Sequence, residues 1–253
     1  IKIKTFKCPG LLLYIQRFFG KIMILLAIPI ITLRYIMKRG VKLKSVTKKN
    51  FKVITEFIDP KRLDQTAYDA DYWIDNDKIN NDDILFFLTN NQKKHLINNG
   101  YNTKDILKPF KEKKYGLAIL DNLSYPFHSL KSLFTLYVKL IPSIFKLNNF
   151  ISCLILIKAW TEYVQFLPLF LHYSSKGLIY LTFPNGATGI RFDDAIVTAL
   201  CRENSIKSYG CQTRTIYANK FEDCFDCFDV YFSWGTAWAQ ISSARMLFIK
   251  KSV

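Results

Sequence analysis

Six short apolar runs, separated by longer stretches of helical period, constrain the fold of this chain more than any other feature. They are residues 51–57 (FKVITEF), 84–88 (ILFFL), 115–120 (YGLAIL), 177–183 (GLIYLTF), 206–211 (IKSYGC) and 230–234 (VYFSW). Several are almost continuously apolar, the pattern of strands covered on both faces. Residues 91–99, 129–173 and 194–204 between them read as helical. In the last, Ile196, Val197 and Leu200 form an apolar stripe, and Asp193 or Asp194 stands where a side chain caps a first turn. Alternation of this kind predicts an α/β fold, a Rossmann-like parallel sheet wrapped by helices, over residues 50–235.

Charge divides the chain unevenly. The 253 residues carry 36 Lys/Arg against 20 Asp/Glu, a formal +16, yet the first acid is Glu56 and 13 of the bases precede it. From Glu56 onward the balance is 23 to 20. A protein that coats nucleic acid would spread phosphate-binding cations over its folded body, so nucleic acid is not the expected partner.

The basic segment also contains the apolar stretch 11–33, interrupted by Gln16, Arg17 and Lys21 and carrying Pro29. Its longest clean run, 22–33, has 12 residues, whereas a spanning helix needs roughly 20. Arg34, Lys38, Arg39, Lys42, Lys44, Lys48 and Lys49 follow, and no small-residue cleavage site of a signal peptide does. Basic residues at a membrane surface attract anionic lipid by about 1 kcal/mol each. Residues 1–49 are therefore expected to associate with an anionic membrane as a peripheral or monotopic element, on the cytoplasmic face by the positive-inside rule. The alternative is a core helix with a solvated basic face. A second apolar and basic region, 129–173, reads as two or three core helices, with lipid contact as the other possibility. Whether its apolar stripes face the sheet separates the two.

In open α/β sheets ligands bind outside the carboxyl ends of the strands. Glu56 and Arg62 follow the first run, Asn185, Arg191, Asp193 and Asp194 the fourth, Gln212 and Arg214 the fifth, and Trp234 and Gly235 the sixth. Glu56 is the candidate general base, with Asp193 and Asp194 as further catalytic candidates, and Arg191 or Arg214 is placed to neutralise phosphate. Gly186 and Gly189 belong to no nucleotide-binding glycine motif. Residues 68–77 hold four acids but lack the glycine and terminal glutamate of a calcium loop. Of six cysteines, Cys201, Cys211, Cys224 and Cys227 cluster in sequence, yet only one C-x-x-C pair occurs, so reduced, buried thiols are expected and no metal site is assigned.

The stretch Arg191-Phe192-Asp193-Asp194, the helix after it, residues 204–212 ending in Gln212, and Asp229-Val230-Tyr231-Phe232-Ser233-Trp234-Gly235 together resemble bacterial surface-polysaccharide glycosyltransferases of GT-B type. The likeness covers residues 185–235 in motif and the chain from 51 in layout. It implies an N-terminal, acceptor-binding domain in which Arg62, Asn185, Arg191, Gln212, Arg214, Trp234 and Gly235 line the substrate cleft. It also implies a lipid-linked or saccharide acceptor, a nucleotide-sugar donor as substrate and no further cofactor. Thr213-Arg214 stands where that family commonly has His-Gly, so no histidine role carries over. The family's donor domain would begin after Gly235, so residues 236–253 are expected to be a linker or the start of that domain, with a partner chain as another source of it. The expectation is a half-enzyme with little turnover alone; the competing expectation is a non-enzymatic membrane-associated binding or scaffold protein.

Overall fold

A computed structural model describes residues 10–42, 50–57, 60–63, 79–173, 178–182, 193–211, 228–232 and 251–252. In chain order the elements are α1 (Gly10–Arg39), β1 (Val41–Lys42), β2 (Val53–Glu56), β3 (Ile84–Leu88), α2 (Asn90–Asn98), α3 (Thr103–Glu112) and β4 (Gly116–Ile119). They continue with β5 (Tyr125–Pro126), α4 (Phe127–Lys146), α5 (Phe150–Tyr173), β6 (Ile179–Thr182), α6 (Asp193–Glu203), β7 (Lys207–Cys211), β8 (Val230–Phe232) and β9 (Lys251–Ser252). Each of the six apolar runs contains a strand, and the three helical stretches overlap α2, α4 with α5, and α6; α2, α4 and α6 begin one or two residues earlier than expected. The chain is thus mixed α/β with an apolar N-terminal helix.

Contacts divide the chain into two compact units: Ile1–Lys44 with Ser124–Val164, and Ser45–Leu123 with Gln165–Val253. The second, the sheet unit, holds seven strands in the order β4-β3-β2-β6-β7-β8-β9, every neighbouring pair parallel. Counted by their sequence within the sheet, the strands run 3-2-1-4-5-6-7, which extends the 3-2-1-4-5-6 order of doubly wound α/β folds. The direction of winding reverses at β2 and β6, and these two strands border the switch point.

The core of this unit follows from the apolar runs. All five side chains of β3 are buried, as a strand covered on both faces requires. Phe86 meets Phe57, Phe110 and Tyr115 edge-on, with ring centroids 6.1, 5.6 and 5.3 Å away. α3 supplies Ile106 and Phe110 to this cluster. Its first turn is closed by a capping box, Asp105 N–H donating to Asn102 Oδ1 and Asn102 N–H to Asp105 Oδ2. The last turns of α5 also belong here: Phe166, Leu167, Leu169 and Phe170 are buried, and Phe166 packs edge-on against Phe87 of β3 at 6.0 Å.

The other unit is helical, with the short parallel pair β1–β5 beside it. α1 runs 30 residues, about 45 Å at 1.5 Å per residue, and continues through Pro29. A proline at 29 removes the N–H that would bond the carbonyl of Leu25. The Tyr137 hydroxyl of α4 donates to that carbonyl at 2.9 Å, so the break expected there is repaired from outside the helix. Gly20 lets α1 approach α5 closely: a Cβ there would sit 2.9 Å from Cys153 Sγ. Lys21 Nζ donates to the Phe145 carbonyl, Trp160 Nε1 to Thr32 Oγ1, and the Tyr125 hydroxyl to the Val164 carbonyl. α1 then stops at Gly40, whose φ of +72° is the left-handed cap that glycine adopts without strain.

The helical stretch 129–173 is thereby divided. α4 and α5 as far as Val164 belong with α1, and only the end of α5 packs on the sheet. Ile24 and Ile28 are the buried face of α1; Ile15, Phe19, Ile22, Leu26, Ile30, Leu33 and Met37 form an exposed stripe along it. Two helices among the described residues, Tyr14–Arg39 and Phe150–Tyr173, are long and apolar enough to cross a membrane.

Candidate functional site

β2 ends at Glu56, so its half-buried carboxylate stands at the carboxyl edge of the sheet beside the switch point. A second element fixes it there. α2 begins directly after β3, and its N-cap Thr89 and Gln92 form a reciprocal capping box: Gln92 N–H donates to Thr89 Oγ1 at 3.1 Å, and Thr89 N–H donates to Gln92 Oε1. With Oε1 engaged as acceptor, the Gln92 amide presents its NH2 outward, and Nε2 donates to Glu56 Oε1. A strand end, a helix cap and a carboxylate are thus locked in one chain of hydrogen bonds. The positive end of the α2 dipole lies at the same edge. The arrangement holds an acceptor of protons in one orientation, as a general base needs.

Sequence reasoning singled out Glu56 but not its partners. The signal for them is Thr89-x-x-Gln92 directly after the apolar run 84–88, the S/T-x-x-E/Q pattern of a capping box. Arg62 lies in a 3-10 turn, Pro60–Leu63, beyond β2. That turn and α3 border a cleft of about 460 Å³, where Asp105, Lys108, Glu112 and Lys113 face Pro60 and Leu63. Lys113 Nζ ties the two walls by donating to the Leu63 carbonyl. Asp193 and Asp194 are the first two residues of α6. α6 runs back toward the start of β7, so its N-terminus lies at the same carboxyl edge as Glu56. Asn185, Arg191, Gln212, Arg214, Trp234 and Gly235 lie outside the described residues.

A second ordered carboxylate, Asp229, stands at the opposite edge of the sheet, before β8. Its Oδ2 accepts from Ser208 N–H and Ser208 Oγ, both at 3.1 Å, and its Oδ1 from Arg202 Nε at 2.9 Å. Its own N–H returns to Ser208 Oγ at 2.9 Å. Burial pushes the carboxyl pKa up, but the bonds from the Ser208 N–H, Arg202 and the Ser208 hydroxyl, with the Arg202 charge, outweigh it and hold it below the usual range. Asp229 joins β8, β7 and α6 at the amino edge, away from where such sheets bind ligands. Its part is structural.

Cys201 is buried, and burial, reinforced by the Asp229 charge and opposed by Arg202, raises its thiol far above the usual range. It is not a thiolate nucleophile or ligand at neutral pH. Among the described residues no three His, Cys, Asp or Glu side chains come together as a metal site; Cys224 and Cys227 lie outside them. No family model matches the chain, and no curated protein or solved structure does either.

Proposed function

We propose that this chain is the acceptor-binding half of a GT-B-type glycosyltransferase that builds cell-surface polysaccharide on a lipid-linked acceptor at the cytoplasmic face of a membrane. The observation that carries the reading is the Glu56 carboxylate held by Gln92 at the switch point of an all-parallel sheet. In this reading Glu56 takes the proton from the acceptor hydroxyl as its oxygen attacks the anomeric carbon, the bond from that carbon to the donor phosphate breaks and the nucleotide leaves, with Asp193 or Asp194 as the second carboxylate. Arg62, Asn185, Arg191, Gln212, Arg214, Trp234 and Gly235 line the acceptor side of the cleft, and a second Rossmann-like domain holds the nucleotide-sugar. The strand order and the convergence of Glu56 and the start of α6 on one edge support it, as does the exposed apolar and basic character of α1.

The test is acceptor binding. The protein should bind anionic vesicles that contain a polyprenyl-phosphate-linked saccharide more tightly than the same vesicles without it. Glu56→Gln should leave vesicle binding unchanged, and, once a donor-binding domain is supplied, lower transfer by about 10²- to 10⁴-fold, the usual worth of a general base. Equal affinity for vesicles with and without the lipid-linked saccharide, or transfer indifferent to Glu56, overturns the proposal.

A further inference from the structure

Positive charge and exposed apolar surface coincide in one unit of the molecule. The helical unit, Ile1–Lys44 with Ser124–Val164, contains 14 Lys/Arg and one acid, Glu162, so +13 of the chain's +16 belongs to it. Of the 21 exposed large apolar side chains among the described residues, 19 are also in it. A water-facing helix normally shows its polar side outward. Here the outward surface of α1 carries an apolar stripe from Ile15 to Met37, with Arg17, Arg34 and Lys38 exposed beside it, while Ile24 and Ile28 face inward.

α4 repeats the arrangement. Phe127, Phe134, Val138 and Phe145, spaced 7, 4 and 7 residues apart, fall on one stripe and are exposed, and Lys131, Lys139 and Lys146 lie beside it. Ile151 and Leu154 continue exposed apolar surface on the first turns of α5, with Lys158 one turn on. Phenylalanine next to lysine is the composition of a helix at a lipid interface, where rings enter the acyl region and lysine stems reach back to the headgroups.

We propose that α1, α4 and the first turns of α5 insert together, as one wedge, into a single leaflet of an anionic membrane. The proposal rests on the membrane attachment read above and extends it to residues 127–155, a segment remote in sequence from α1. Charge selects the occupant. A second copy of the chain would bring another +13 against this face, whereas anionic headgroups neutralise it and acyl chains cover the stripes. The lysines beside the α4 stripe suit a helix lying along the interface, where every one of them reaches headgroups.

The experiment uses full-length protein and vesicles of phosphatidylcholine with and without phosphatidylglycerol. The double variant Phe134→Ser/Phe145→Ser changes only exposed positions. It should keep its circular dichroism and melting temperature and lose vesicle affinity by about tenfold per ring removed. Leu26→Ser/Ile30→Ser on α1 should lose a similar factor. In Phe134→Trp and Phe145→Trp, the fluorescence added over the parent should be quenched by brominated lipid. If the α1 variant loses binding while the α4 variant binds as the parent does and its tryptophans are not quenched, joint insertion is overturned and attachment through α1 stands. If neither variant changes binding, the attachment itself falls. Equal affinity for neutral vesicles overturns the anionic requirement. Concentration-dependent dimerisation abolished by the α4 substitutions assigns the face to a second copy.

Discussion

β3 and α1 are both strongly apolar in sequence, and the structure treats them in opposite ways. All five residues of β3 are buried, whereas α1 buries a narrow face and exposes Leu26, Ile30 and Leu33 at 57% or more. Charge separates their surroundings as well. The sheet unit carries 22 basic and 19 acidic residues, the helical unit 14 and 1. Apolar residues thus specify an element, and the sign balance around them indicates whether protein or lipid covers it. In the sheet unit the apolar groups cover one another, and mixed charge suits a surface in water. In the helical unit the apolar groups are only partly covered, and all but one of the charges are positive.

The contrast can be broken most forcefully at Phe86. Its ring touches three aromatic neighbours in a closed core, and Phe86→Ala should cost about 3–5 kcal/mol of stability, read by denaturant unfolding. A cost below about 1 kcal/mol would mean that the sheet core is loosely packed and that the two units differ less than their burial suggests. Asp229→Asn comes next, at about 1.5–3 kcal/mol, because it removes the charge that Arg202 and the Ser208 N–H engage in a partly buried position. A carboxyl held below its unfolded value, about 3.9, stabilises the fold fully above that pH, and the contribution disappears as pH falls through the lower folded value. The wild type should therefore approach the variant in stability below about pH 4 and exceed it at pH 7. A constant difference across that range would assign the effect to packing.

Tyr137→Phe tests the helical unit at the point where it most resembles a protein core. The Leu25 carbonyl, left without its helical donor by Pro29, would lose the hydroxyl that satisfies it, at a cost of about 1 kcal/mol in aqueous solution. A similar loss in anionic vesicles would show that the bond persists when the unit is bound to lipid. No loss in either medium would mean that α1 bends at Pro29 and lets water reach the carbonyl.

The sheet was legible in the sequence because its strands are covered on both faces: ILFFL and GLIYLTF stand out without any neighbour being known. α3 was less legible, since Pro109 lies inside it and only Asn102-x-x-Asp105 announces its start. The helical unit was half legible. Thirteen bases before Glu56 marked α1, but α4 and α5 lie more than 80 residues further on, and their four lysines marked a second apolar and basic region without showing that it packs with α1. Pro29 counted against a long helix because the compensating hydroxyl is 112 residues away. At the candidate site Glu56 followed from the strand-end rule alone, while Gln92 required the capping box to be recognised and turned toward β2. Local pattern carries what one segment does by itself; what a distant segment supplies to it is written in no single window.

The smallest expected effect sharpens the comparison within one helix. Ile28 is 1% exposed and Ile30, two residues on, is 62% exposed, so they sample the two surroundings of α1 under the same helix propensity. Ile30→Ala removes a side chain that touches little protein, and stability in aqueous buffer should change by no more than about 0.5 kcal/mol. With anionic vesicles present the result should differ. A membrane that binds only the folded protein raises its apparent stability through linkage, and the weaker-binding variant gains less. The melting temperature of the wild type should therefore rise further on adding vesicles than that of Ile30→Ala, although the two coincide without lipid. A loss of 2 kcal/mol or more in buffer alone would mean that another protein surface already covers Ile30, and the outer face of α1 would then be an interface between chains.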